Sequence, residues 1–189
     1  VEVAREDWLV TIGIDPVSPS PAFGYIHLGH ELTGHAGAYA VRAFVEKPSV
    51  TMAREYLASG EYRWNAGMFV VRPTVLLDLL AESDPAFAAT LREIAVDPTR
   101  IGELWETLPR IPADHAVAEP AADAGRVATV PASFGWDDIG DFDSLAELLG
   151  ATGRAVPVVL GSEDDVTVVH STGLVVPGNG RMVAVIGID

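Results

Sequence analysis

Three short segments place polar groups where a fold does not require them. Phe44-Val45-Glu46-Lys47-Pro48 sets a carboxylate beside an ammonium at the end of an apolar run, stiffened by proline. Glu46 can accept from hydroxyls, and Lys47 offers a compact positive charge to a phosphate. Ligands of open α/β sheets bind at the ends of strands, although the same five residues also fit a solvated charged turn. Trp64-Asn65-Ala66-Gly67-Met68-Phe69 opens a second apolar run. Asn65 carries both a donor and an acceptor, and Gly67 lets a ligand approach the backbone closely. A turn asparagine beside a core tryptophan is the alternative. Phe134-Gly135-Trp136-Asp137-Asp138-Ile139-Gly140 supplies two adjacent carboxylates. Mg²⁺ takes one or two carboxylates together with substrate phosphates. Neighbouring side chains on an extended segment point apart, so one of the two would reach an ion. An acidic helix start, favoured by the helix dipole, accounts for the same pair without a metal.

Other chemistries are excluded or weakened by composition. The 189 residues contain no cysteine, which removes disulfides, zinc–thiolate sites and thiol catalysis. The histidines (His27, His30, His35, His115 and His170) form no H-x-x-x-H pair and no compact cluster. His27 and His30 are spaced for a helical face, in a stretch that reads as a strand. A formal net charge of −15 argues against nucleic-acid binding, which depends on Lys and Arg neutralising phosphates. Positive charge for an anionic substrate must therefore be placed locally, and Lys47 is the conspicuous lysine. Most of the acidic surface reads as a solubility device. No apolar run approaches the ~20 residues of a membrane span, and no secretory leader opens the chain. A cytoplasmic location with no membrane partner is the expectation.

The elements that must hold these groups follow from hydrophobic period and punctuation. Residues 8–14 read as a buried strand, 15–23 as an extended proline-rich loop, and 23–28 and 38–45 as further strands. Ser49 caps a helix carrying Val50, Ala53 and Leu57 on one face and stopped by Gly60. Gly67–Val71 reads as a strand covered on both faces. Pro73 and Asp84-Pro85 each start a helix. Asp114 caps a short helix through Val117, Val127–Val130 is a strand, and Asp141 caps a helix that runs to Leu149. Alternating strands and helices predict an α/β layered domain with a mixed sheet. From about residue 154 only short valine-rich strands remain, which predicts a small all-β appendage. The chain opens directly before a strand and closes on an apolar strand without a partner, so both ends are expected to be cut.

In this order the segments resemble the bacterial mannose-1-phosphate guanylyltransferases, a group of sugar-nucleotide pyrophosphorylases. The resemblance is carried by Thr11-Ile12-Gly13-Ile14, Gly24-Tyr25-Ile26, Phe44–Pro48, Trp64–Phe69 and Phe134–Gly140, and it continues into Arg181–Gly187. It implies a Rossmann-like nucleotidyltransferase domain with a mixed sheet, of which residues 1–153 are the sugar-phosphate half. Residues 154–189 would be part of a left-handed β-helix. Gly24 and Tyr25 would line the sugar pocket, and Glu46 would hold sugar hydroxyls. Lys47 would bind the 1-phosphate, Asn65 and Gly67 would contact the hexose, and Asp138 would ligate Mg²⁺. Lys47 and Asp138 are the residues assigned to catalysis.

The implied partners are GTP and mannose-1-phosphate, with a homodimer left open, and the implied product is GDP-mannose. Ser20-Pro21-Ala22-Phe23 departs from the family's Glu-Thr-Gly-Tyr, and Ala66 stands where a Ser is usual. The glycine-rich nucleotide loop and the first metal-binding Asp of the family would precede residue 1, so the isolated chain is expected to be inactive. The alternatives are a glucose-1-phosphate nucleotidyltransferase and a non-catalytic sugar-phosphate-binding regulator.

Overall fold

A computed structural model describes residues 1–150, 157–178 and 180–188. They form two compact units, Val1–Trp136 and Asp137–Asp189. The expected boundary between residues 153 and 154 lies outside the described residues.

The first unit is built on five strands: β1 (Leu9–Ile14), β2 (Tyr25–Glu31), β3 (Tyr39–Val45), β4 (Tyr62–Val70) and β5 (Val127–Ala132). Their pairing order is β1-β4-β2-β3-β5, with β1 also parallel to β5 from Leu9–Val127 to Ile14–Ala132. The remaining pairings are antiparallel, so the sheet is mixed as expected. Side chains alternate across a strand, and the apolar residues divide accordingly. Leu9, Ile26, Phe44 and Val127 share one core cluster, while their neighbours Val10, Tyr25 and Ala128 belong to others.

A one-turn helix, α1 (Glu2–Arg5), precedes β1 and buries Val3 and Ala4 against Val10 and Ala128. A packed helical turn thus precedes β1, where the sequence pattern shows no cap before the strand. α2 (Val50–Ser59) starts at Ser49, whose hydroxyl accepts from the Met52 amide at 3.3 Å, and it stops at Gly60 with φ 72°. α3 (Pro73–Ser83) and α4 (Pro85–Val96) both carry proline in the first turn and lay Val75, Leu79, Leu80 and Ala88 on the Leu9 cluster. A short α5 (Ile101–Leu104) follows, and then a π-helical turn, Asp114–Ala118, which runs into α6 (Glu119–Asp123).

Proline explains the widened turn. Pro120 has no N–H to offer the carbonyl four residues back, and its ring crowds that carbonyl. The Ala116 oxygen is met at 3.1 Å by the Ser83 hydroxyl, which is shared with Leu80.

The expectations for Gly67–Val71 and Asp114 also need correction. The strand expected at Gly67–Val71 begins earlier, at Tyr62, and its later half is covered on one side only. Phe69 faces the core, whereas Met68 and Val70 are exposed. Asp114 does not cap a helix, because its carboxylate is turned elsewhere.

In the second unit Asp141 caps α7 (Phe142–Leu148), accepting from the Ser144 amide at 2.8 Å. Beyond it, β6 (Val158–Val159) pairs in parallel with β8 (Leu174–Val175), and β7 (Val166–Val169) with β9 (Val183–Ile186). The closing strand is thus paired, contrary to the expectation of a bare edge. Among the described residues, no helix is long and apolar enough to cross a membrane.

Candidate functional site

Glu46 and Lys47 follow the last residue of β3, and Asn65 lies in β4 beside β2. Gly24, just before β2, joins them. Its carbonyl accepts from the Asn65 amide at 2.8 Å, and a Cβ built on it would collide with Oε2 of Glu46 and stand 3.4 Å from the Asn65 Cβ. A side chain at position 24 would thus occupy the space that Glu46 uses, which is a physical reason for glycine. Glu46 is mostly buried, at 16% side-chain exposure, while Lys47 is open at 67%, and their charges meet at 3.1 Å.

Lys47 is the only lysine of the chain. Its backbone lies in the left-handed region, φ 46°, directly before a proline. That conformation is unfavourable for a side-chain-bearing residue, and strain of this kind gathers at functional sites. Gly67 occupies an irregularity of β4. Three residues separate Asn65 from Phe69, while one separates their partners Gly13 and Thr11. Gly67 has φ 69° within this bulge, and nothing lies within 4 Å of the position its Cβ would take.

Tyr25 is placed differently from the expectation of a pocket-lining side chain. Its ring is fully buried with Ile14, Ala53 and Trp64, and its hydroxyl donates to the Ser20 carbonyl at 3.0 Å. It anchors the proline-rich loop from beneath. Phe23, which replaces the expected tyrosine, packs edge-on between Trp64 and Trp136, with centroids at 4.8 and 5.2 Å.

Two residues that the sequence pattern does not mark complete the arrangement. The Thr11 hydroxyl donates to Oδ1 of Asn65 at 2.7 Å, and Nδ2 of Asn65 donates to Asp114 at 3.2 Å. Thr11 was findable, because it is the polar side chain inside an otherwise apolar strand, and buried hydroxyls need partners. Asp114 was not, because an aspartate before a short helical run looks like any cap. Beside it, His115 pairs with Glu119 at 2.8 Å. That hydrogen bond, with the field of the Glu119 carboxylate and a smaller one from Glu46, raises the His115 pKa above its usual 6.5.

In the second unit Asp137 accepts from the Ile139 amide at 2.7 Å, and Asp138 from the Gly140 amide at 3.3 Å. Both carboxylates are exposed and keep free oxygen lone pairs. No group of three or more His, Asp or Glu able to hold a metal occurs among the described residues. A cleft of about 440 Å³ beside Trp105 and Arg110, and one of about 430 Å³ beside Asp141 and Phe142, contain none of the Gly24–Glu46–Asn65 group.

Residues 1–153 match the nucleotidyl transferase family. The chain belongs to that family. It is 39% identical over 153 residues to the mannose-1-phosphate guanylyltransferase of Escherichia coli K12, covering 76% of this chain and 31% of that protein. It is 32% identical over 195 residues to the alginate biosynthesis protein AlgA of Pseudomonas aeruginosa, covering 98% of this chain and 39% of that protein. Among solved structures, mannose-1-phosphate geranyltransferase from Thermus thermophilus superposes with a TM-score of 0.79 at 31% identity. That match covers 99% of this chain and 53% of that one. The chain spans roughly a third of the length of the curated relatives it matches. The Rossmann-like α/β fold of the nucleotidyltransferases, with its mixed sheet, is therefore that of the first unit.

Proposed function

We propose that this chain carries the sugar-phosphate side of a mannose-1-phosphate guanylyltransferase, which joins mannose-1-phosphate to GTP and releases GDP-mannose and pyrophosphate. The observation that supports it most is the convergence of Gly24, Glu46 and Asn65, with the sole lysine at the rim. Glu46 accepts hydrogen bonds from hexose hydroxyls, and Asn65 adds a donor and an acceptor. Gly24 and Gly67 leave room beside them. Lys47 exchanges part of its pairing with Glu46 for the 1-phosphate, neutralising the nucleophile and holding its oxygen for in-line attack on the α-phosphorus. Positioning and charge carry such a transfer, with no covalent step on the protein.

Asp138 would be a carboxylate ligand of Mg²⁺, and the ion would neutralise charge developing on the transferred phosphates. The parallel pairings of β6 with β8 and of β7 with β9 support reading the tail as a coil of a left-handed β-helix. A cytoplasmic location, where nucleotides and sugar phosphates are made, belongs to the same reading.

The test is a panel of hexose-1-phosphates and nucleoside triphosphates, read by pyrophosphate release, on a protein joining this chain to a nucleotide-binding half. Mannose-1-phosphate with GTP should be the preferred pair. Losing one charge-assisted contact costs about 1.5–3 kcal/mol, so Lys47→Ala should raise KM for the sugar phosphate roughly ten- to hundredfold. Equal use of glucose-1-phosphate, or an unchanged KM in Lys47→Ala, would contradict the proposal.

A further inference from the structure

We infer that Asp114 is a positioning residue for the acceptor sugar, setting which way the Asn65 carboxamide faces; the consequence for sugars rests on the function proposed above. A carboxamide has one acceptor end and one donor end of almost the same shape, and its neighbours decide which is which. Asn65 is 8% exposed and is held at both ends, by Thr11 at 2.7 Å and by Asp114 at 3.2 Å. The threonine cannot decide, since a hydroxyl donates or accepts equally well. An ionised carboxylate only accepts. The amide nitrogen must therefore face Asp114, and the oxygen is left to receive the threonine proton.

With Asp114 in place, one amide N–H and one oxygen lone pair remain, each in a fixed direction. The backbone amide of Asn65 donates to the Gly24 carbonyl, and the Gly24 position abuts the Glu46 carboxylate, so Asn65 lies within the group that the proposal above assigns to the hexose.

The local chain makes this contact by departing from ordinary helix geometry. Asp114 starts the π-helical turn produced ahead of Pro120, and its side chain bonds no amide of that turn. Its carboxylate serves a residue 49 positions away. Epimeric hexose phosphates differ in the direction of one hydroxyl. A donor and an acceptor with fixed places tell them apart, whereas an amide free to flip offers either group at either place.

The experiment measures affinity for mannose-1-phosphate and glucose-1-phosphate by calorimetry, on this chain and on Asp114→Asn, with the Asn65 side-chain amide followed by NMR. The asparagine keeps the shape but can donate as well as accept, so it permits the flipped amide. The expected result is a shifted Asn65 amide and at least a fivefold smaller preference for mannose-1-phosphate, with the backbone spectrum retained. A folded Asp114→Asn with the wild-type ratio overturns the inference.

If that variant does not fold, the wild-type protein decides. Nuclear Overhauser contacts should run from the Asn65 amide protons to the Asp114 methylene, and contacts to the Thr11 hydroxyl side in their place would overturn the assignment. A wild-type chain that binds neither sugar phosphate removes the proposed function and the sugar consequence with it. The NMR contacts still judge the orientation itself, so the two failures are distinct.

Discussion

The Glu46–Lys47 pair combines opposite exposures in neighbouring residues. Glu46 is mostly buried beside Gly24, whereas Lys47 is exposed and has a left-handed backbone directly before Pro48. A mostly buried acceptor beside an exposed cation would suit the proposed ligand, with hydroxyls at one end and a phosphate at the other. His115, on the widened turn next to Asp114, titrates in the same neighbourhood. Its folded pKa is raised, first by the hydrogen bond to Glu119 and then by that carboxylate's charge. The stability it contributes is complete below its unfolded value of about 6.5 and is lost as pH rises through the folded one. An NMR titration should place the His115 midpoint above 6.5, and Glu119→Gln should bring it down. A midpoint at or below 6.5 would mean that the pair does not persist in solution.

Helix starts and stops were the most legible elements. Ser49, Gly60, Asp84 and Asp141 act where sequence punctuation puts them, because caps depend on local backbone donors. Asp84 accepts from the Phe87 amide at 2.9 Å at the head of α4. Asp84→Ala should cost about 1 kcal/mol, seen as an earlier denaturant midpoint with an unchanged m-value, and a change within error would deny the cap its role.

What local pattern did not reveal depends on distant partners. The exposed Met68 and Val70 read as core because apolar type says nothing about which face is covered. Tyr25 was expected to line the pocket only from the family resemblance, and the strand pattern around it does not show that its hydroxyl is taken by the Ser20 carbonyl. Asp114 read as a cap because a carboxylate 49 residues from Asn65 carries no mark of that pairing. Gly24, Glu46 and Asn65 were legible as candidates, but their contact is a property of β2, β3 and β4 together.

At the scale of the molecule, an acidic chain with one lysine that binds a sugar phosphate, as proposed, has to concentrate its attraction for the phosphate. A net charge of −15 repels an anionic ligand at most approaches, so under the proposed function Lys47 would act locally and hydroxyl contacts would supply the rest of the affinity. In the second unit Asp138 lies on a short turn and accepts from the Gly140 amide.

A titration of the isotopically labelled chain with mannose-1-phosphate tests directly whether the group formed by Gly24, Glu46, Lys47 and Asn65 receives the sugar phosphate, as proposed. Saturable shifts are expected, confined to the amides of Gly24, Lys47 and Asn65 and their neighbours and largely abolished in Lys47→Ala. Shifts at the cleft beside Trp105 and Arg110 in their place, or a titration indifferent to Lys47→Ala, would contradict it.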